Sequence, residues 1–205
     1  MNQELQRWID EQQIRETRRL WAYGRDLGEW DLLASVFHPG ATVHVSWFKG
    51  PASDFVAKSA EAAKTRRPEE HGKHWLGNMR TAIRGARAVQ ETDVQILIRE
   101  YLQEVLFDYT GYARFFDLFE KREGLWKICS MTCIYEKDRF DPVLPGSVPA
   151  SLFKDLPLSG AESGFAFMRW RFAKRKREGV PVVIAGSPQE RALRAEGERW
   201  LTSGS

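Results

Sequence analysis

Tyr109-Thr-Gly-Tyr-Ala-Arg-Phe-Phe-Asp-Leu-Phe-Glu-Lys121 and Leu125-Trp-Lys-Ile-Cys-Ser-Met-Thr-Cys-Ile-Tyr-Glu-Lys137, parted only by Arg122-Glu-Gly124, decide the class of this chain. Both are long aromatic and β-branched runs, which suit a pleated, half-buried surface, and the short break containing Glu-Gly suits a hairpin turn. Two similar runs precede them, His74 to Ile83 and Val89 to Phe107, separated by Gly85-Ala86. Four such runs in succession predict a meander of antiparallel hairpins.

Upstream the period changes. Leu5, Trp8, Ile9, Gln12, Ile14, Leu20 and Trp21 recur at a spacing of roughly 3.6 residues. They predict a long amphipathic helix over residues 3 to 26, free of proline, that delivers Asp26 at its carboxyl end. Glu29 to Phe37 reads as a short second helix stopped by His38-Pro-Gly40, and Ala41 to Phe48 alternates as a strand. Asp54 to Lys64 is rich in helix formers, with Ser53 as its cap. Three helices followed by a curved antiparallel sheet give an α+β fold, a cone-shaped half-barrel whose concave face and helices enclose a pocket.

Past Asp141 the texture shifts to prolines and small residues, which places a boundary near 140: residues 1–140 form the barrel domain and 141–205 a linker and a helical extension. Helices are expected over 163–178 and 187–202, the second opening at Ser187-Pro-Gln-Glu190 with a capping box. The extension is expected to pack on the barrel or on a partner subunit.

The 205 residues, 42% apolar and 12% aromatic, are those of a globular protein with a sizeable core. No stretch of about 18 consecutive apolar residues occurs and the first residues are polar, so no membrane span is expected and the cytoplasm is the expected location. Cys129 and Cys133 lie four apart in one strand, about 13 Å from each other at roughly 3.3 Å per residue, so they read as reduced core thiols. The net charge of +3 resides in the tail, where 10 basic residues meet 7 acidic ones, against 21 and 21 in residues 1–140. Most of it is the run Arg169 to Arg177, read as a helix flank because Trp170 and Phe172 are packing residues; no nucleic-acid partner is expected.

The chemistry concentrates in two phrases, Tyr23-Gly-Arg-Asp-Leu-Gly-Glu-Trp-Asp31 and His71-Gly-Lys-His-Trp-Leu-Gly-Asn78. A carboxylate at Asp26 that holds one nitrogen of His74 leaves the other free as a proton acceptor poised near neutral pH. The bland readings are a helix-end carboxylate beside Gly28 and a half-buried strand histidine. A metal site of His71, His74 and Asp26 is disfavoured, since a spacing of three at a strand edge is poor ligand geometry. Trp8, Trp21, Trp30 and Trp126 fall on core faces, while Trp47 and Trp75 flank the pocket mouth and could stack on a ring.

Long helix, Tyr-x-x-Asp-x-Gly-Glu-Trp-Asp-Leu-Leu, Phe-His-Pro-Gly-Ala, His-Trp-Leu-Gly-Asn and Glu123-Gly-Leu-Trp-Lys-Ile128, in this order, resemble the SnoaL-like branch of the nuclear transport factor two superfamily over about residues 5 to 137. Within it the scytalone dehydratase and hexachlorocyclohexane dehydrochlorinase group is most similar, and that resemblance implies that Asp26 and His74 form a catalytic dyad. The chain departs from both enzymes. Ala113 and Phe115 stand where the dehydratase would want a small hydroxyl residue and an amide, the Val94 to Gln103 strand lacks a second histidine, and Met131 replaces the arginine of the dehydrochlorinase. Neither substrate carries over.

What the pair can do is elimination, dehydration first, on a hydrophobic cyclic or aromatic molecule without a cofactor or metal. The alternatives are an isomerase or cyclase, or a non-catalytic ligand-binding module of the same fold. Expected substrate-binding residues are Tyr23, Trp47, Trp75, Asn78, Arg99, Tyr101 and Phe115, with Gln95 sharing the strand face of Arg99 and Tyr101; which face points inward the sequence leaves open. A homo-oligomer, dimer or trimer, is expected because a sheet of this curvature leaves an outer face to be covered.

Overall fold

The computed structural model describes residues 2–154, 156, 158–160 and 163–203, so positions 155, 157, 161 and 162 of the expected linker lie outside the described residues. Helix α1 (Gln3–Leu27) starts where Asn2 Oδ1 accepts the Glu4 amide at 3.0 Å. It ends at Gly28, whose φ of 74° is the left-handed conformation that closes a helix at little cost in glycine. Its buried stripe is Asp10, Ile14, Thr17, Arg18 and Trp21. Asp10 is drawn inward by Trp126 Nε1 at 3.0 Å and Lys121 Nζ at 2.6 Å. At about 100° per residue that turns Trp8 to the far side, where it is exposed instead of joining the core as expected.

Short helix α2 (Trp30–Ser35) crosses α1 at Gly24, where an added Cβ would lie 2.7 Å from the Leu33 nitrogen, so only glycine permits the approach. Strand β1 (Phe37–Val45) begins earlier than expected: His38-Pro-Gly40 forms an irregularity within it, and buried His38 donates from Nε2 to the Glu120 carbonyl at 2.9 Å rather than closing the preceding helix. Strand β2 (Phe48–Pro51) leads into α3 (Ala52–Ala63), whose cap position is Pro51, not Ser53.

The meander is β3 (His71–Arg84), β4 (Arg87–Leu102), β5 (Val105–Arg122) and β6 (Leu125–Pro142). With a two-residue β7 (Val183–Ile184) parallel to β6, they make a seven-stranded curved sheet in the order β2-β1-β6-β5-β4-β3. The β4–β5 turn is at Gln103-Glu104, inside the run read from the sequence as Val89 to Phe107. Both residues have positive φ, 50° and 62°, a conformation costing about 1–2 kcal/mol per non-glycine residue. Arg67 grips Glu104 with two parallel bonds at 2.9 and 3.0 Å, which supports the turn from outside.

Even-numbered residues of β4 and odd-numbered ones of β5 face the helices: Val94 and Ile96 belong to one buried cluster with Phe107, Phe115 and Phe119, and Glu100 is buried on the same face of β4. Each large apolar side chain taken from water here contributes roughly 1.5–3 kcal/mol. Beneath them Arg18 and Asp117, both fully buried, pair at 2.5 Å. Burial pushes the Asp117 carboxyl up against the pull of Arg18.

The extension divides its work. Helix α4 (Ala166–Lys174) adds Met168, Trp170 and Phe172 to the main core. Helix α5 (Pro188–Thr202), capped by Ser187 Oγ accepting the Glu190 amide, lays Leu193 and Trp200 over Phe116 and Leu118 on the opposite sheet face. Its Arg194 bridges Glu91 at 2.8 Å and Glu190 at 2.9 Å. The chain itself thus covers part of the outer face that the sequence reading left for a second copy.

Candidate active site

A carboxylate in the last turn of a helix faces the negative end of the helix dipole, so Asp26 needs donors to hold it there. Strand β3 supplies them. Asp26 Oδ2 accepts the His74 backbone N–H at 2.8 Å, and Oδ1 accepts the ring Nδ1–H at 2.6 Å. A carboxylate can only accept, so the ring proton sits on Nδ1 and the Nε2 lone pair is left over. Among the described residues nothing bonds Nε2. The Trp21 ring stands nearly perpendicular to the imidazole with centroids 5.0 Å apart, and the Phe115 centroid lies 6.2 Å away, which together fix the plane of the ring.

Burial pushes the His74 imidazole below its ordinary value; Asp26 opposes this, and the Arg25 and Arg18 charges add to it. Burial alone would raise Asp26, but the hydrogen bonds and charge of His74 hold its carboxyl below the usual range. The pair at neutral pH is therefore an anionic carboxylate beside a neutral imidazole, the state a general base requires.

Both side chains line a cavity of about 470 Å³, within the range of small-molecule sites. Its apolar walls come from Trp21, Trp47, Phe55, Ile96 and Phe115, with Tyr135 of β6 and Met168 of α4 closing other sides. Trp47 lines the cavity and packs 5.3 Å from Phe55, as part of its wall. Arg99 and Tyr101 reach the cavity only at its exposed rim, since alternation places them with Gln95 on the outer face of β4. There Asp108 holds Arg99 at 2.7 and 2.8 Å, and the Arg67 guanidinium covers the Tyr101 ring at 4.5 Å.

Tyr23, Trp75 and Asn78 are corrected: none lines the cavity. Tyr23 follows buried Trp21 by two positions and so lies across the helix, 55% exposed. Trp75 follows His74 by one position in a strand and points out, 63% exposed. A register shift between Leu76 and Met79 turns Asn78 outward to Asp93 Oδ2 at 3.3 Å.

Sequence reasoning missed Arg25, Tyr135 and Arg171. The signal for Arg171 was present: a basic residue flanked by Trp170 and Phe172 belongs to a buried helix face. It pairs with Glu100 at 2.8 Å, while Arg175 takes the other Glu100 oxygen at 3.0 Å, so the basic run serves the core and the cavity. At Met131, α1 brings a guanidinium close: Arg18 Nη1 lies 3.8 Å from Met131 Sδ and the group sits 4.5 Å over Phe115. No three His, Cys, Asp or Glu side chains among the described residues are grouped to hold a metal ion. No helix among them is long and apolar enough to cross a membrane.

The sequence profile of the SnoaL-like domain family matches residues 6–132. A PEP2-like protein of Fusarium vanettenii is 29% identical over 178 residues, covering 86% of this chain and 74% of that protein. Pea pathogenicity protein 2 of the same fungus is 32% identical over 142 residues, covering 69% of this chain and 60% of that protein. In fold, a candidate scytalone dehydratase from Novosphingobium aromaticivorans superposes with a TM-score of 0.57 at 19% identity, over 70% of this chain and 95% of its own.

Proposed function

Because the chain belongs to the SnoaL-like domain family, we propose that it is a cofactor-independent lyase in which Asp26 and His74 act as one base on a small, apolar, cyclic or aromatic molecule. The observation that carries this reading is the 2.6 Å bond between Asp26 Oδ1 and His74 Nδ1, which leaves Nε2 as an unshared base in a walled cavity.

The step balances without an outside reagent. Nε2 takes a proton from a carbon beside a carbonyl, the released electron pair becomes the carbon–carbon double bond, and the β carbon–oxygen bond breaks. The leaving hydroxide takes a proton back from the imidazolium, so a hydroxy ketone becomes an enone and water. Asp26 holds the ring and stabilises the imidazolium; positioned transfer of this kind supplies about 10²- to 10⁴-fold. Tyr135, whose oxygen accepts the Ser46 amide at 2.8 Å, lines the same cavity beside Cys133. Return of the proton to a second carbon would make the same dyad an isomerase.

A screen of cyclic β-hydroxy ketones for new enone absorbance tests the reading. His74→Ala and Asp26→Asn should abolish turnover of any compound it finds while leaving its affinity within a few fold. Full activity in both variants would remove the dyad from the reaction.

A further inference from the structure

The charges lining the cavity do not cancel. Seven arginines face four carboxylates, and the carboxylates are already committed. Asp26 serves His74, Glu104 serves Arg67, and Glu100 serves Arg171 and Arg175, which also lies 3.8 Å from Glu70. Arg99 is matched from outside by Asp108. Arg25, Arg66 and Arg177 remain, with no ion pair or hydrogen bond to a carboxylate among the described residues. Arg66 reaches over β3 at Gly72, where an added Cβ would lie 3.6 Å from its Nη2, two residues before His74. Arg177 is anchored over the Trp47 ring at 5.5 Å, on the aromatic wall. A fourth donor points the same way: Arg171 is 6% exposed and lines the cavity, and its Nη1 has no hydrogen-bond partner.

Arg66 and Arg177 are exposed at the cavity mouth, whereas Arg25 is half-buried and Arg171 buried, and a guanidinium that is partly desolvated without a counter-charge is costly unless something anionic arrives. The planar donor forks of all four match the oxygens of a carboxylate or phosphate. We infer that the substrate of the Asp26–His74 pair is an amphipathic anion, an aromatic or polycyclic body against Trp47, Phe55 and Phe115 with an oxyanion group held by Arg25, Arg66 and Arg177. The protein pays for these uncompensated charges in its own electrostatics: burial and the Arg66 charge pull Arg25 down to about 10, against Asp26, with Arg177 adding to the pull. The inference deepens the lyase reading and rests on it for the word substrate, but the anion site can be tested alone.

The probes are 2-naphthoate, its uncharged isostere 2-naphthamide, and 2-naphthyl phosphate, titrated calorimetrically into the full chain. The acid should bind at least about tenfold more tightly than the amide, the size of one charge-assisted contact. Raising the salt from about 0.05 to about 0.5 M should erode that preference. Arg25→Gln and Arg177→Gln should each cost naphthoate about tenfold and leave naphthamide within about twofold. A tighter fit for the phosphate would assign the oxyanion to a phosphate ester, a weaker one to a carboxylate. Equal affinity of acid and amide in the wild-type chain, or no binding of the acid, would overturn the inference whether or not the variants fold. His74→Ala should keep the preference, so an intact preference beside fully active dyad variants would sink the lyase reading alone.

Discussion

Replacing Asp26 by Asn removes one charge and almost no volume, and the geometry dictates how the new amide must turn. The carboxylate accepts two donors from one residue, the His74 backbone N–H at 2.8 Å and the ring Nδ1–H at 2.6 Å. An amide offers one acceptor and one donor. The backbone N–H cannot release its hydrogen, so the Asn oxygen must stay on that side and its NH2 must face Nδ1. The imidazole answers by carrying its proton on Nε2, which turns the cavity-facing base into a donor. The other orientation sets two N–H groups against each other and leaves a buried donor unsatisfied, at about 1–3 kcal/mol. In a serine protease triad the corresponding Asp-to-Asn change costs about 10⁴-fold in kcat through the wrong tautomer. Here kcat/KM should fall by about 10²- to 10⁴-fold with ligand affinity nearly intact. Nitrogen-15 spectra of histidine-labelled protein report which ring nitrogen holds the proton. An Asp26→Asn variant that keeps Nδ1 protonated and turns over within a few fold of wild type would refute the reasoning.

Other outcomes follow from the same contacts. Because burial lowers the His74 value, the base is neutral at and above its ordinary value of about 6.5; kcat/KM should be flat from about pH 8 to 6.5 and fall only below that, as the ring protonates. A pH–rate profile with its midpoint above 6.5 would contradict the depressed value. Asp117→Asn should destabilise the fold by about 3–5 kcal/mol by leaving Arg18 charged and unpaired in the core, whereas Arg18→Met with Asp117→Leu should recover most of the loss in urea unfolding. Gly24→Ala should cost about 1–3 kcal/mol despite the better helix former, because its Cβ would meet the Leu33 nitrogen at 2.7 Å; a raised melting temperature would refute that contact.

The fold was legible because its sheet is built from long aromatic runs broken by glycine-bearing turns, and Asp26 and His74 were legible because each sits in a distinctive local phrase. The turn at Gln103-Glu104 was not, since neither residue type signals a positive φ. Nor was the inward face of β4. Buried Gln90, Thr92 and Glu100 interrupt the apolar alternation on one side, and α5 covers part of the other, so the period of two is blurred. Tyr23, Trp75 and Asn78 were misplaced by proximity in sequence, which helix rotation, strand alternation and one register shift each undo. Arg25 and Arg171 were hidden because charge in a sequence reads as surface, and only the folded chain shows which guanidinium groups go without a carboxylate.

The most direct test of the account is solvent exchange. The first compound turned over in the enone screen, incubated with the wild-type chain in D2O, should gain deuterium at the carbon beside its carbonyl, at a rate that falls below pH 6.5 and is lost in His74→Ala. Product formed without any dependence on His74, or exchange at the same rate in His74→Ala, would contradict the claim that Nε2 takes the proton.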